Sequence, residues 1–185
     1  MLARAPYILA MKATMSPAAK PETRSFYTRG RTMNVEIKDM PARRLATIRH
    51  VGAYNQIGEA FRRLGDIAGS NGLFRPGAEM LALYHDDPDA TPTEQLRSDA
   101  GITVPDNLTL PAGLDEQRVS AGRYACALHV GPYDRLPDAW ARLMGEWLPA
   151  SQHRVGAGAS YEIYRNDPTT TPKEKLETEI CIPVD

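Results

Sequence analysis

Two rhythms of apolar residues run along this chain, and each occurs twice. Ile57, Phe61, Leu64 and Ala68 follow i, i+4, i+7, i+11 spacing, and Leu136, Trp140, Leu143 and Trp147 repeat it. Such spacing lays one apolar stripe along a helix. Stretches of strand character flank each stripe: residues 43–50 and 123–130 before the helices, 81–84 and 161–164 after them, and I-x-V endings at 102–104 and 182–184. Asp-Pro and Thr-Pro pairs interrupt the later strands and turn them into a long hairpin. Each half therefore reads strand, turn, helix, loop, strand, polar hairpin, strand. A further strand pattern opens at Met33.

The two halves match residue by residue. Arg49-His50-Val51-Gly52-Ala53-Tyr54 returns as Leu128-His129-Val130-Gly131-Pro132-Tyr133, and Tyr84-His85-Asp86-Asp87-Pro88 returns as Tyr164-Arg165-Asn166-Asp167-Pro168. Ordered landmarks at a near-constant offset mark an internal duplication. The expected fold is α+β: a strand–helix–strand–strand module in tandem, about residues 33–105 and 112–185. Pseudo-twofold symmetry, an antiparallel sheet, two main helices and a central cleft complete the picture. One module can bury only one face of a small sheet under one helix, whereas two can complete a core and leave a groove at their junction.

Features that serve the frame should be alike in both copies, so a function performed once per molecule should break the symmetry. Leu81-Ala82-Leu83-Tyr84 aligns with Tyr161-Glu162-Ile163-Tyr164. Strand alternation puts Leu81, Leu83, Tyr161 and Ile163 on one face, expected to be the helix-facing one, and Ala82, Tyr84, Glu162 and Tyr164 on the other. Glu162 is then either an ordinary strand glutamate facing water or a partly desolvated carboxylate among aromatic rings. The second case makes a seat for a cation, or a general base toward water. Trp140 and Trp147 replace Phe61 and Ala68, and are either core residues or a stacking wall for a flat ligand. His50 and His129 are symmetric and read as strand-end structure. Tyr54 and Tyr133 are also symmetric and read as turn-fixing, with hydroxyls within reach of the groove.

Composition adds limits. Hydrophobic residues make up 42% and charged residues 24% of 185 residues, as in ordinary globular chains. No apolar run is long enough to span a bilayer, which places the protein in the cytoplasm with no membrane partner. Residues 1–32 carry +5 (Arg4, Lys12, Lys20, Arg24, Arg29, Arg31 against Glu22), leaving −6 on the body from the net −1. That basic segment reads as a disordered extension. An acidic body suits a cationic or neutral small molecule better than the phosphates of DNA. The four histidines lack metal-ligand spacing, and Cys126 and Cys181, distant in sequence, read as buried and unreactive thiols. Nothing asks for a metal or another cofactor.

The segment His129–Tyr133, the downstream Trp140 and Trp147, and Tyr161-Glu162-Ile163-Tyr164 with Asp167-Pro168 and Ile182-Pro183-Val184 resemble the GyrI-like effector-binding domains. The chain is also similar to the ligand-sensing domains of AraC-type and MerR-type multidrug regulators. The resemblance covers about residues 33–185. It implies a cleft for bulky, often cationic, aromatic compounds with Glu162 as the acidic contact, Tyr164, Tyr84, Trp140, Trp147 and Tyr133 lining it, and a role in xenobiotic sensing, sequestration or detoxification. Some stand-alone members are hydrolases that open cyclopropane rings of DNA-alkylating compounds, which would give Glu162 a catalytic role. A gyrase-inhibitor-like protein partnership is the third reading. Residues 1–32 offer no helix-turn-helix, so no direct DNA binding by this chain is expected.

Overall fold

The computed structural model describes residues 33–185; the expected basic extension, 1–32, lies outside them. Eight strands form one antiparallel sheet: β1 (Val35–Met40), β2 (Arg43–Val51), β3 (Met80–Tyr84), β4 (Arg97–Thr103), β5 (Asp115–Val119), β6 (Gly122–Val130), β7 (Ser160–Tyr164) and β8 (Glu177–Pro183). Their order is β1-β6-β8-β7-β3-β4-β2-β5. The α+β duplication expected from the sequence is present, with one addition. Each half gives its first strand to the other: β1 pairs with β6 and β5 with β2. The halves are thus joined at three places, the third being β3 against β7 at the centre.

The central pairing places Ala82 opposite Glu162, midway along both strands. Met80↔Tyr164 and Tyr84↔Ser160 bracket that pair symmetrically, so the pseudo-twofold axis passes between Ala82 and Glu162. The one position where the copies differ most in chemistry lies on the axis itself.

In each half the strand-to-helix turn is built by the repeated H-V-G-x-Y segment. Gly52 and Gly131 adopt φ of 129° and 141°, a region that favours glycine. The imidazole Nε2 of His50 and of His129 lies 3.0 and 3.2 Å from the carbonyl oxygens of Ala53 and Pro132, so each ring donates there. The glycine N–H groups donate to Leu96 and Leu176 at 2.8 Å. These histidines hold the turn, as their symmetry suggests.

The first helix, α1 (Gly58–Ser70), is regular and buries Ala60, Phe61, Leu64 and Ala68. The second begins as α2 (Leu136–Arg142), widens into a π-helical segment (Leu143–Trp147) and ends as α3 (Leu148–Ala150). The wide turn lies directly before Pro149, whose ring would otherwise press on a carbonyl of the preceding turn.

Which sheet face meets the helices is the reverse of the expectation. Ala82, Tyr84, Glu162 and Tyr164 face the helices; Ala46, Ala100, Ala125 and Ala127 join them in the main core with Ile57, Phe61, Leu64, Leu136 and Leu143. Leu81, Leu83, Tyr161 and Ile163 form a second cluster on the back with Tyr124, Cys126 and Cys181. The physical reason is volume: alanines let two helices approach the sheet closely and leave room for the large rings between them. The back cluster is bordered by ion pairs. Arg43 and Arg165 both hold Glu79 (2.9 and 2.7 Å), Lys38 and Arg165 hold Glu179, and Arg49 holds Asp99 at 2.6 Å, with the His85 ring hydrogen-bonded to the same carboxylate at 2.6 Å.

Candidate functional site

Glu162 stands at the middle of β7, under α2, and is 2% exposed. Its carboxylate is held by neutral donors. Trp140 Nε1 donates to Oε1 at 2.7 Å, and the Tyr164 hydroxyl donates to Oε2 at 2.7 Å. The Tyr84 hydroxyl is a third partner. No ion pair among the described residues includes it, although the back of the same sheet is rich in them. Burial pushes the Glu162 carboxyl above its usual range, and the Trp140, Tyr164 and Tyr84 hydrogen bonds only partly offset that. Burial, together with the neighbouring Glu162 charge, likewise drives the Tyr84 and Tyr164 hydroxyls well above the ordinary tyrosine value, so both remain donors.

Aromatic rings enclose the carboxylate. Tyr84 meets Trp140 edge-on at 5.8 Å between centroids and Tyr54 at 4.8 Å. Tyr164 meets Phe61 at 5.4 Å and Tyr133 at 5.3 Å. Each repeat contributes: β3 gives Tyr84, β7 gives Glu162 and Tyr164, α1 gives Phe61 and α2 gives Trp140. The Tyr54 hydroxyl is fixed by donating to the Asp86 carbonyl at 2.7 Å.

Five of the residues singled out in the sequence (Glu162, Tyr164, Tyr84, Trp140 and Tyr133) therefore come together. Trp147 does not join them; it lies at the far end of the π-helical segment and stacks on His153 at 6.1 Å. Its helical spacing from Trp140 suggests a shared face, but the widened turn intervenes. Tyr54 and Phe61 also line the wall; the sequence places the Tyr54 hydroxyl within reach of the groove but reads Phe61 only as part of the helix stripe. The matched H-V-G-x-Y segments carry the signal for Tyr54, and the Phe61–Trp140 correspondence carries it for Phe61. The expected open cleft is closed above Glu162, because the indole of Trp140 occupies one carboxylate oxygen. A cavity of about 220 Å³ lies elsewhere, between Leu73–Ala78 and Thr103–Leu108.

A doubled strand–helix–strand–strand frame with one antiparallel sheet under two helices is the architecture of a small-molecule binding domain. The chain belongs to the GyrI-like family: the family described as GyrI-like small molecule binding domain matches residues 33–185. The DNA gyrase inhibitor of Yersinia enterocolitica is 33% identical over 140 residues, covering 73% of this chain and 88% of the relative. That of Escherichia coli K12 is 31% identical, covering 73% and 87%. Among solved structures, the EcmrR C-terminal domain superimposes with a TM-score of 0.65 at 21% identity, covering 83% of this chain and 98% of that one. The chain spans 59% of the EcmrR chain in its DNA complex. SAV2435 bound to tetraphenylphosphonium superimposes with a TM-score of 0.57 at 18% identity, covering 83% and 94%. No helix among the described residues is long and apolar enough to cross a membrane.

The raised proton affinity of Glu162 fixes a sign for stability. Below the unfolded-state value, about 4.3, both states are protonated and the group is neutral in effect. As pH rises, the unfolded chain ionises first, so folding is progressively penalised until the folded carboxyl ionises too. Urea unfolding of the wild type and of Glu162→Gln from pH 4 to pH 8 should show the variant gaining relative stability toward high pH. A pH-independent difference would contradict the assignment of an uncompensated acid.

Proposed function

We propose that this protein binds bulky amphipathic aromatic cations at Glu162, in the space now closed by Trp140, and acts in xenobiotic sensing, sequestration or detoxification. The observation that carries the reading is the buried carboxylate with no ion pair among the described residues, the nearby His129 ring being the weakest of the groups that offset its burial. A charge removed from water is costly unless paired, and neutral donors compensate it only in part. An organic cation would supply the missing charge, while the faces of Trp140, Tyr84 and Tyr164 would add cation–π attraction and apolar contact. The ligand must displace the indole N–H from Oε1, so binding and opening of α2 are one event, and weak ligands that cannot meet that cost are rejected. The complex of the structural neighbour SAV2435 with tetraphenylphosphonium, an aromatic cation, is in keeping with the same chemistry.

In the closed state both Glu162 oxygens are engaged by side chains, so a general-base role in hydrolysis, like cation binding, requires Trp140 to be displaced first. The acidic body of residues 33–185 supports a reading without DNA contact.

Calorimetric titration with tetraphenylphosphonium should give saturable 1:1 binding to the wild type. Glu162→Gln should weaken it by ~30-fold or more, the scale of ~2 kcal/mol for losing one member of a buried charge pair. Triphenylphosphine oxide, a neutral compound of related shape, should bind both proteins with similar weakness. Equal affinity of the two proteins for the cation would remove Glu162 from the site.

A second reading rests on the curated relatives, which are named DNA gyrase inhibitors. If gyrase inhibition extends to this chain, purified protein should abolish supercoiling by gyrase at near-stoichiometric concentration. Glu162→Gln should inhibit equally well, because the enclosed carboxylate cannot reach a protein partner. Undiminished supercoiling at a large excess of the protein would eliminate this reading.

A further inference from the structure

Ala82 against Glu162 is one break in the duplication, and the back of the sheet carries another. Cys126 on β6 and Cys181 on β8 are direct register partners, and their Sγ atoms lie 3.0 Å apart. The equivalent pair in the first half is Thr47 and Gly101, also register partners, with no sulfur at either place. A frame residue should recur; this dithiol occurs once, in the half that carries Glu162. The sequence separation of the two cysteines hides the contact; both are buried, as expected, and the reactivity proposed next departs from the expectation that they are unreactive.

We propose that Cys126 and Cys181 form an oxidisable dithiol that hydroperoxides convert to a cross-strand disulfide. Direct partners on antiparallel strands have Cα atoms about 4.5 or 5.5 Å apart, and both spacings fall within the range of about 4.4–6.8 Å that disulfides accept. Closing the bond needs a shift of ~1 Å from the present contact to a bonded length of about 2.05 Å. In the first step one thiol, as its thiolate, attacks a peroxide oxygen; the O–O bond breaks, releasing an alcohol or water and leaving a sulfenic acid. The second sulfur then attacks the sulfenic sulfur, its proton passes to the departing hydroxyl, and water leaves as the S–S bond forms. Two thiols and one hydroperoxide give one disulfide, one alcohol (water, for hydrogen peroxide) and one water, a balanced two-electron exchange.

The surroundings decide the kinetics and the product. Both cysteines are buried, and the rings of Tyr124 and Tyr161, 5.0 Å apart, pack in the same cluster. The neighbouring Cys126 thiol and burial hold the Cys181 thiol far above the usual range, so the first step is slow and depends on opening of the back face. The second step has its partner already in contact. A sulfenic acid formed here is captured before a second peroxide arrives, so sulfinic acid should not accumulate. The staple ties β8 to β6 directly behind the site, since Ile180, beside Cys181, is the register partner of Glu162.

The test uses the full reduced chain treated with hydrogen peroxide, unfolded in N-ethylmaleimide and weighed intact. The expected product has lost two hydrogens (about 2 Da), takes up no maleimide, remains monomeric and yields one peptide pair linked through Cys126 and Cys181. The oxidised protein should unfold at least ~5 °C above the reduced one, because the new link closes a long loop. Cys126→Ser and Cys181→Ser should each acquire oxygen or stay unreacted, without the hydrogen loss. Two alkylatable thiols after exposure that fully oxidises dithiothreitol, or accumulation of sulfinic acid in the wild type, would overturn the proposal. A disulfide that lowered or left unchanged the unfolding midpoint would overturn its role as a staple. The wild-type readouts stand even where a serine variant fails to fold.

Discussion

A carboxylate enclosed by neutral donors is the interaction on which the rest of the structure turns. Glu162 could have been matched by an arginine, as Glu79, Glu179 and Asp99 are on the opposite face of the same sheet. Trp140, Tyr164 and Tyr84 surround it instead, each offering a hydrogen bond and none offering a charge. Such a shell satisfies the oxygens and excludes water without cancelling the charge. On the function proposed above, this is a site held closed by hydrogen bonds and poised, electrostatically, for a cation. The aromatic groups would then serve both states: donors while the site is closed, and apolar, electron-rich faces once a ligand enters.

The duplication explains why there is one acid and not two. The pseudo-twofold axis passes between Ala82 and Glu162, so a symmetric pair of glutamates would face each other across adjacent strands. Like charges directly opposite on a sheet are destabilising even when exposed, and far more so when buried. A methyl group opposite the carboxylate is the simplest resolution. The flanking Tyr84 and Tyr164 remain symmetric and still converge on the single acid, because anything near the axis is near both halves. Strand exchange strengthens the frame around this point: β1 and β5 each cross to the other repeat, so the halves cannot part without breaking two sheet ladders beyond the central one.

Much of this is legible in the residues alone. Matched H-V-G-x-Y segments and matched helix stripes expose the duplication, and the comparison of copies isolates Glu162. The side of the sheet reads the wrong way round for a definite reason: Leu81, Leu83 and Ile163 look like a helix-facing stripe, whereas Ala82 does not. Hydropathy cannot show that close helix approach needs small residues, nor that a second apolar cluster under ion pairs can bury the larger ones. Strand exchange leaves no trace because β1 and β5 read the same whichever neighbour they pair with. A 3.6-residue period puts Trp147 at the site, but the π-helical segment before Pro149 does not keep that period. The contact between Cys126 and Cys181 depends on pairing of β6 with β8, which spacing along the chain does not reveal.

The central claim, an uncompensated buried acid that a cation completes, has a direct signature in protons. Entry of a positive charge lowers the proton affinity of Glu162, so at mildly acidic pH ligand binding must expel a proton, and at alkaline pH it must not. Calorimetry of tetraphenylphosphonium binding in buffers of different ionisation enthalpy, repeated from pH 5 to pH 8, counts those protons. Net release at the acidic end, fading toward zero as pH rises, is the expected result; binding with no proton exchange at any pH would contradict it.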